Sequence, residues 1–160
     1  MHNPARCLIA AAVLTIQACA DTSFKAKDTW TILSPTTRDM SVIGANWLPS
    51  AEQVLAAREA ARQHIAQGAK ALLPVGRDEW RLCDARDILQ HWNSYRLQAW
   101  GYTKHHKKLI RLSFLTMDQM PDTDWRHELV VVSDGGSAFW QADYDPASGK
   151  ILWWEANAVA

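Results

Sequence analysis

Apolar positions follow a helical spacing between residues 49 and 68, where they form one stripe: Val54, Ala57, Ala61 and Ile65. Ser50 is well placed to cap this helix because Gln53 stands in the capping-box position. Gly68 suits the C-terminal end of a helix. The pattern therefore predicts a helix that begins after Ser50 and runs to about Gln67, and a second, shorter helical piece is predicted over residues 84–92.

Further along the chain, apolar and polar residues alternate in a manner typical of strands. The strand-like segments are residues 95–103, 108–116, 127–133, 137–144 and 151–157. Turn sequences separate them at residues 104–107, 134–136 and 145–149. Short connections favour an antiparallel meander, and the helical stripe needs one sheet face to cover it. We expect an α+β fold, with one main N-terminal helix packed on a four- to five-stranded antiparallel meander sheet.

The N-terminal residues have the pattern of a secretory signal. Arg6 ends a short polar segment, and residues 8–16 are apolar apart from Thr15. This run is too short to cross a bilayer, which takes about 20 residues, but it matches the apolar core of a signal peptide. We therefore assign residues 1–18 to a signal peptide, residues 19–49 to a tether with a short strand near residues 30–33, and residues 50–160 to the α+β domain.

The sequence Ile16-Gln17-Ala18-Cys19 resembles the bacterial lipobox. The resemblance implies that Cys19 becomes the first mature residue and carries lipid, which anchors the protein to the membrane, since two or more acyl chains anchor stably. It also implies export to the bacterial envelope, at the outer membrane or the periplasmic face. The alternative is cleavage after Ala20 by ordinary signal peptidase, which would release a soluble protein.

The closing sequence "DYDPASGKILWWEANA", residues 143–158, resembles the end of PepSY domains, in which an Asp-Pro-x-x-Gly-Lys turn leads into a last strand. A helix followed by an antiparallel sheet is also similar to cystatin-like domains. Both resemblances imply a binding or inhibitory module rather than a catalyst. Neither assigns a function to any residue of this chain.

The balance of charges indicates which partners to expect, and the number of cysteines indicates whether an internal disulfide is possible. The chain has 17 basic and 17 acidic residues, so it lacks the broad positive field that nucleic-acid binding requires. After lipidation of Cys19 and removal of Cys7 with the signal, Cys83 is left alone and cannot form an internal disulfide. We expect no nucleic-acid partner, no cofactor and no metal.

Nine tryptophans in 160 residues are many for one small core. Exposed indoles are enriched where proteins bind partners. Strand alternation places one candidate set on a single face: Trp92, Arg96, Gln98, Trp100 and Tyr102. This face is predicted to bind a protein, peptide or glycan. The alternative is that the chain's own tether or helix covers it.

Catalytic candidates are few. His127 with an aspartate such as Asp143 offers material for acid–base chemistry, but no nucleophile elbow or phosphate-binding glycine loop is present. The two histidines at residues 105 and 106 are predicted to form a hairpin tip. The sequence thus predicts an exported, lipid-anchored, non-catalytic binding or inhibitory module, and the alternative is a small periplasmic hydrolase-type enzyme that uses His127.

Overall fold

The computed structural model describes residues 29–71, 85–116 and 124–157. The predicted signal peptide, Cys19 and Cys83 lie outside these ranges. The described elements are β1 (Trp30–Ile32), β2 (Ala45–Trp47), α1 (Ala51–Ala71), β3 (Tyr95–Lys104), β4 (Lys107–Thr116), a 3₁₀ turn (Gly136–Ala138), β5 (Phe139–Asp145) and β6 (Lys150–Ala156). Residues 85–90 are also helical, within the range predicted for the second helical piece.

The fold is α+β, as predicted: one main helix packs on a mostly antiparallel mixed sheet. Within the described ranges the sheet has six strands, in the order β1-β3-β4-β5-β6, and β2 also pairs with β3. Strand β1 is parallel to β3, and the other pairs are antiparallel. The sheet exceeds the predicted four or five strands because β1 and β2, from the range assigned to the tether, both pair with β3.

The start of α1 follows the capping-box prediction. The Ser50 backbone N–H donates to Gln53 Oε1 at 2.9 Å, and the Gln53 N–H donates to Ser50 Oγ at 3.2 Å. The predicted stripe is buried along its length. The predicted end was wrong, because α1 continues to Ala71 and Gly68 lies inside it. A glycine inside a helix costs only about 1 kcal/mol relative to alanine, which a long, capped helix tolerates.

The core beneath α1 is aromatic. Phe114 and Trp140 lie opposite each other on β4 and β5, and their rings stack at 3.8 Å with an interplanar angle of 2°. Tyr95 meets both rings edge-on, and Trp92 meets both at a tilt. These contacts fill the space between α1 and the sheet with side chains of β3, β4 and β5. We call this side of the sheet the helix face and the other side the open face.

Two predicted turns are confirmed. The β3–β4 hairpin turns at His105 and His106, whose φ values of 48° and 62° suit the twist of a tight two-residue turn. Between β5 and β6, Asp145 caps its own turn by accepting hydrogen bonds from the Ala147 N–H and the Ser148 hydroxyl, both at 2.9 Å. These turns fix the register of both hairpins.

The strand predicted over residues 127–133 was wrong. Residues 125–127 form a turn, and residues 129–132 follow without regular structure. Strand β4 is paired on one edge with β3 and on the other with β5, so neither edge of β4 is free to pair with residues 127–133. Residues 134–136 therefore do not close a hairpin, and they lead into the 3₁₀ turn instead.

Candidate binding site

Two small apolar clusters cover parts of the open face. In the first cluster, Leu33 and Met40 come from the connection between β1 and β2. They pack with Ala45 of β2 and Trp100 of β3. The segment before β5 contributes to the second, which packs on β4 and β5: Leu115, Trp125, Val130 and Phe139. Because the clusters are separate, a cleft remains between them.

Gln98 holds one wall of this cleft in place. Its side chain is fully buried on β3 beneath the segment of residues 124–134. Its Nε2 donates to the Trp125 carbonyl at 2.5 Å and to the Glu128 carbonyl at 2.7 Å, and its Oε1 accepts from the Val130 N–H at 3.1 Å. One side chain thus satisfies three backbone groups of a segment that has no strand partner.

The cleft has a volume of about 170 Å³. Its mouth is apolar, since Ile43 and Val131 stand at its edge and Val131 is 73% exposed. Its interior is more polar and comes from three neighbouring strands of the sheet. The lining residues are Ile43, Trp100, Tyr102, Arg111, Leu129, Val130, Val131 and Gln141. We call this site the aromatic cleft.

Arg111 supplies the only charge among these lining residues, and it is neutralised. Its Nε donates to Asp143 Oδ1 at 2.5 Å, its Nη2 to Asp143 Oδ2 at 3.1 Å, and its Nη1 to Gln141 Oε1 at 2.8 Å. Its guanidinium carbon also lies 5.6 Å from the Tyr102 ring and 5.0 Å from the Trp153 ring. Burial opposes the charge of Arg111, but Asp143 and Tyr102 outweigh this effect and raise its pKa.

Tyr102 brings a buried hydroxyl to the cleft. This oxygen is inaccessible to solvent and makes no hydrogen bond of normal geometry to a described residue, although the Asp143 carboxylate and the Arg111 guanidinium lie beside it. Burial, together with the adjacent Asp143 carboxylate, raises the pKa of Tyr102 to about 12. The hydroxyl therefore stays protonated at physiological pH, and a group that enters the cleft has to displace the side chains covering this hydroxyl before it accepts a hydrogen bond from it.

The structure places four of the five predicted binding residues on the open face: Arg96, Gln98, Trp100 and Tyr102. Of these, Trp100 and Tyr102 line the aromatic cleft, whereas Gln98 is a support and Arg96 lies opposite Leu115, away from the cleft. Trp92 was predicted on the same face but lies in the core beneath α1. It precedes β3 in a turn, so strand alternation does not extend to it.

The alternative catalytic pair is not assembled. His127 lies in an exposed turn, where its Nδ1 is 2.8 Å from Asp124 Oδ2. Asp143 lies on β5 and is bound by Arg111. Each member of the predicted pair thus has a different partner.

Sequence reasoning missed Arg111, Gln141 and Trp153. A signal for Arg111 was present, since a two-residue turn at His105 and His106 sets Arg111 directly opposite Trp100. No comparable signal existed for Gln141. It reaches the cleft through the register of β4 with β5, and 22 residues separate those two strands.

Within the described ranges, side-chain arrangement and helix length bear on two other kinds of site, metal centres and membrane spans. No group of three or more histidine, cysteine, aspartate or glutamate side chains there is arranged to hold a metal ion. None of the helices there, α1 included, has the length and apolar character needed to span a membrane.

Comparison with protein-family models matched no family, and comparisons with curated proteins and with solved structures gave no significant match. The function is accordingly argued from the geometry of the aromatic cleft and from the N-terminal sequence.

Proposed function

We propose that this chain is an exported, lipid-anchored, non-catalytic binding module of the bacterial envelope. Its aromatic cleft receives one neutral side chain from a peptide segment of a partner protein. The observation that carries the proposal is the combination of an apolar mouth with the buried hydroxyl of Tyr102, which makes no hydrogen bond of normal geometry in the described ranges and lies beside the fixed pair of Arg111 and Asp143.

Size and charge support a single neutral side chain as the ligand group. Sites for drug-sized molecules usually enclose roughly 300–1,000 Å³, and this cleft has about 170 Å³. Arg111 is neutralised by Asp143, so the cleft offers no net charge to an ionic group. A neutral side chain that packs on Trp100 and accepts a hydrogen bond from Tyr102 fits this chemistry.

The mouth of the cleft favours a peptide over a glycan. Val42, Ile43 and Val131 are exposed apolar residues at or next to the mouth. Trp100, the indole that lines the cleft, is only 5% exposed, so a small side chain can contact it but too little of its ring is open for a sugar to stack on it. Apolar residues around a small pocket are typical of surfaces where one partner residue anchors a protein contact.

The same groups are poorly suited to catalysis. General acid–base catalysis works best when the pKa of the catalytic group lies near the working pH. The pKa of Tyr102 is raised to about 12, far from that range, and Arg111 is held by Asp143 and Gln141. The geometry therefore supports recognition rather than proton transfer.

Replacing Tyr102 with phenylalanine should weaken ligand binding about tenfold while leaving the free energy of unfolding unchanged or slightly raised. The hydroxyl makes no hydrogen bond of normal geometry to the described residues, so its removal costs the free protein little, whereas the bound ligand loses one hydrogen bond. Isothermal titration calorimetry with a peptide selected from a random display library measures the change in Kd.

Tyr95→Phe is the matched control, because the Tyr95 hydroxyl donates to the Ser137 carbonyl at 2.7 Å, away from the aromatic cleft. This variant should lose about 1 kcal/mol of stability and keep its affinity for the peptide. If both tyrosine variants bind the peptide as well as the wild-type protein does, the assignment of Tyr102 to the binding site is wrong.

The lipid anchor is tested separately. Cys19→Ala should move the protein from the membrane fraction to the soluble fraction, because the lipobox cysteine is the residue that would carry the acyl chains. Cell fractionation followed by immunoblotting measures this shift, and Cys83→Ala serves as the control that should remain at the membrane. An unchanged membrane fraction for Cys19→Ala would contradict the anchor.

A further inference from the structure

Strand β6 forms one end of the sheet. It pairs with β5 on one side, and no strand in the described ranges pairs with its outer edge. An unpaired edge presents backbone N–H and C=O groups that are able to accept another strand. Two large apolar side chains on this strand are also exposed, Leu152 at 53% and Trp153 at 37%. The edge therefore has the features of a pairing surface.

The register of β6 gives its side chains an unusual distribution between the two faces. Lys150 pairs with Asp145, Trp153 with Asp143 and Glu155 with Gln141, so all three side chains belong to the open face. Ile151 and Trp154 pair with Tyr144 and Ala142, on the helix face.

Leu152 is the extra residue of a β-bulge, because the register shifts between Asp143 and Tyr144. Lys150 and Glu155 are separated by an odd number of positions and would lie on opposite faces of a regular strand. The bulge brings both charges to the same face.

The bulge makes β6 complementary to itself. Two β6 strands can pair antiparallel in a register that sets Lys150 of one copy opposite Glu155 of the other. The same register sets Ile151 opposite Trp154, and Leu152 opposite Trp153. Lys150 and Glu155 both belong to the open face, and Ile151 and Trp154 both belong to the helix face, so each of these pairs lies on a single face. The third pair, Leu152 with Trp153, brings two exposed apolar side chains together. Opposite charges and apolar pairs directly across a sheet are stabilising.

We propose that two copies of this chain form a symmetric dimer by antiparallel pairing of their β6 strands. A two-fold axis between Leu152 and Trp153 places two Lys150–Glu155 pairs at the ends of the shared edge. The sheet then continues across the dimer, with both open faces on the same side. This inference rests on β6 alone and is independent of the ligand assigned to the aromatic cleft.

Charge reversal tests the register directly. Lys150→Glu and Glu155→Lys should each weaken dimerisation about tenfold or more, because each creates two like-charge contacts per dimer. Mixing the two variants should restore a dimer, since every contact in the heterodimer again joins opposite charges. The double variant Lys150→Glu/Glu155→Lys should also dimerise as the wild-type protein does.

Sedimentation velocity of the full chain in one mild detergent measures the dimerisation constant of each protein. Lys104→Glu, at an exposed residue of β3, makes the same change in net charge as Lys150→Glu and should have no effect. Thermal unfolding by circular dichroism shows whether each variant is folded. The proposal is wrong if the wild-type protein stays monomeric up to millimolar concentration, or if neither single reversal weakens the dimer. A mixture of the two reversals that stays monomeric would overturn the register.

Discussion

Replacing Asp143 with alanine will destabilise the protein by about 3–5 kcal/mol, the largest loss that we expect from a single substitution at the aromatic cleft. Asp143 accepts two hydrogen bonds from Arg111, whose side chain is only 25% exposed. Without the carboxylate, a largely buried guanidinium keeps its charge but loses its partner. Urea unfolding followed by circular dichroism measures the difference in free energy.

Two further variants separate this effect from a general loss of charge. Asp124→Ala removes an exposed carboxylate whose partner is His127, and it should leave the unfolding midpoint nearly unchanged. Replacing both members of the buried pair, as Arg111→Met/Asp143→Leu, should cost much less than Asp143→Ala because no charge remains buried. If Asp143→Ala and Asp124→Ala have the same small effect, the pair of Arg111 and Asp143 does not stabilise the cleft.

Replacing Gln98 with leucine will cost about 3 kcal/mol, although the two side chains are similar in size. The amide of Gln98 satisfies the carbonyls of Trp125 and Glu128 and the N–H of Val130, and leucine satisfies none of them. We expect the segment of residues 124–134 to detach from the open face. Amide hydrogen exchange of this segment should accelerate more than that of β4.

Gln63→Leu is the matched control, because Gln63 is exposed on α1 and its amide donates to Glu59 Oε1, at 3.0 Å, on the same helix. It should leave both stability and hydrogen exchange nearly unchanged. Slow exchange of residues 124–134 in the Gln98→Leu protein would show that packing of Trp125 and Val130, rather than the amide of Gln98, holds the segment.

Local rules were enough to predict the start and the buried stripe of α1, although not its end, and the two hairpins. Ser50 and Gln53 form the capping box that their spacing indicates, and the turn at His105 and His106 fixes the register of β3 with β4. That register alone places Trp100, Tyr102 and Arg111 together, so part of the aromatic cleft was contained in the sequence. These features depend on residues that are close in the chain.

The remaining features depend on distant contacts. The alternating pattern of residues 127–133 resembles a strand, but Gln98, about 30 positions earlier, satisfies that segment's backbone. Similarly, Trp30 in β1 pairs with Leu97, and nothing in the local pattern of residues 20–49 indicates that partner. The position of Trp92 beneath α1 follows from a turn that ends the alternation before β3 begins.

The most direct test of the central claim is a nuclear magnetic resonance titration that observes the Trp100 indole N–H and the methyl groups of Ile43 and Val131. N-acetyl-glutaminamide, whose neutral side chain carries a hydrogen-bond acceptor, serves as the peptide probe, and N-acetylglucosamine serves as the glycan probe. The proposed function predicts saturable shifts of these signals with the glutamine derivative and none with the sugar. Shifts with the sugar alone, or no shift of the cleft signals with either probe, would contradict it.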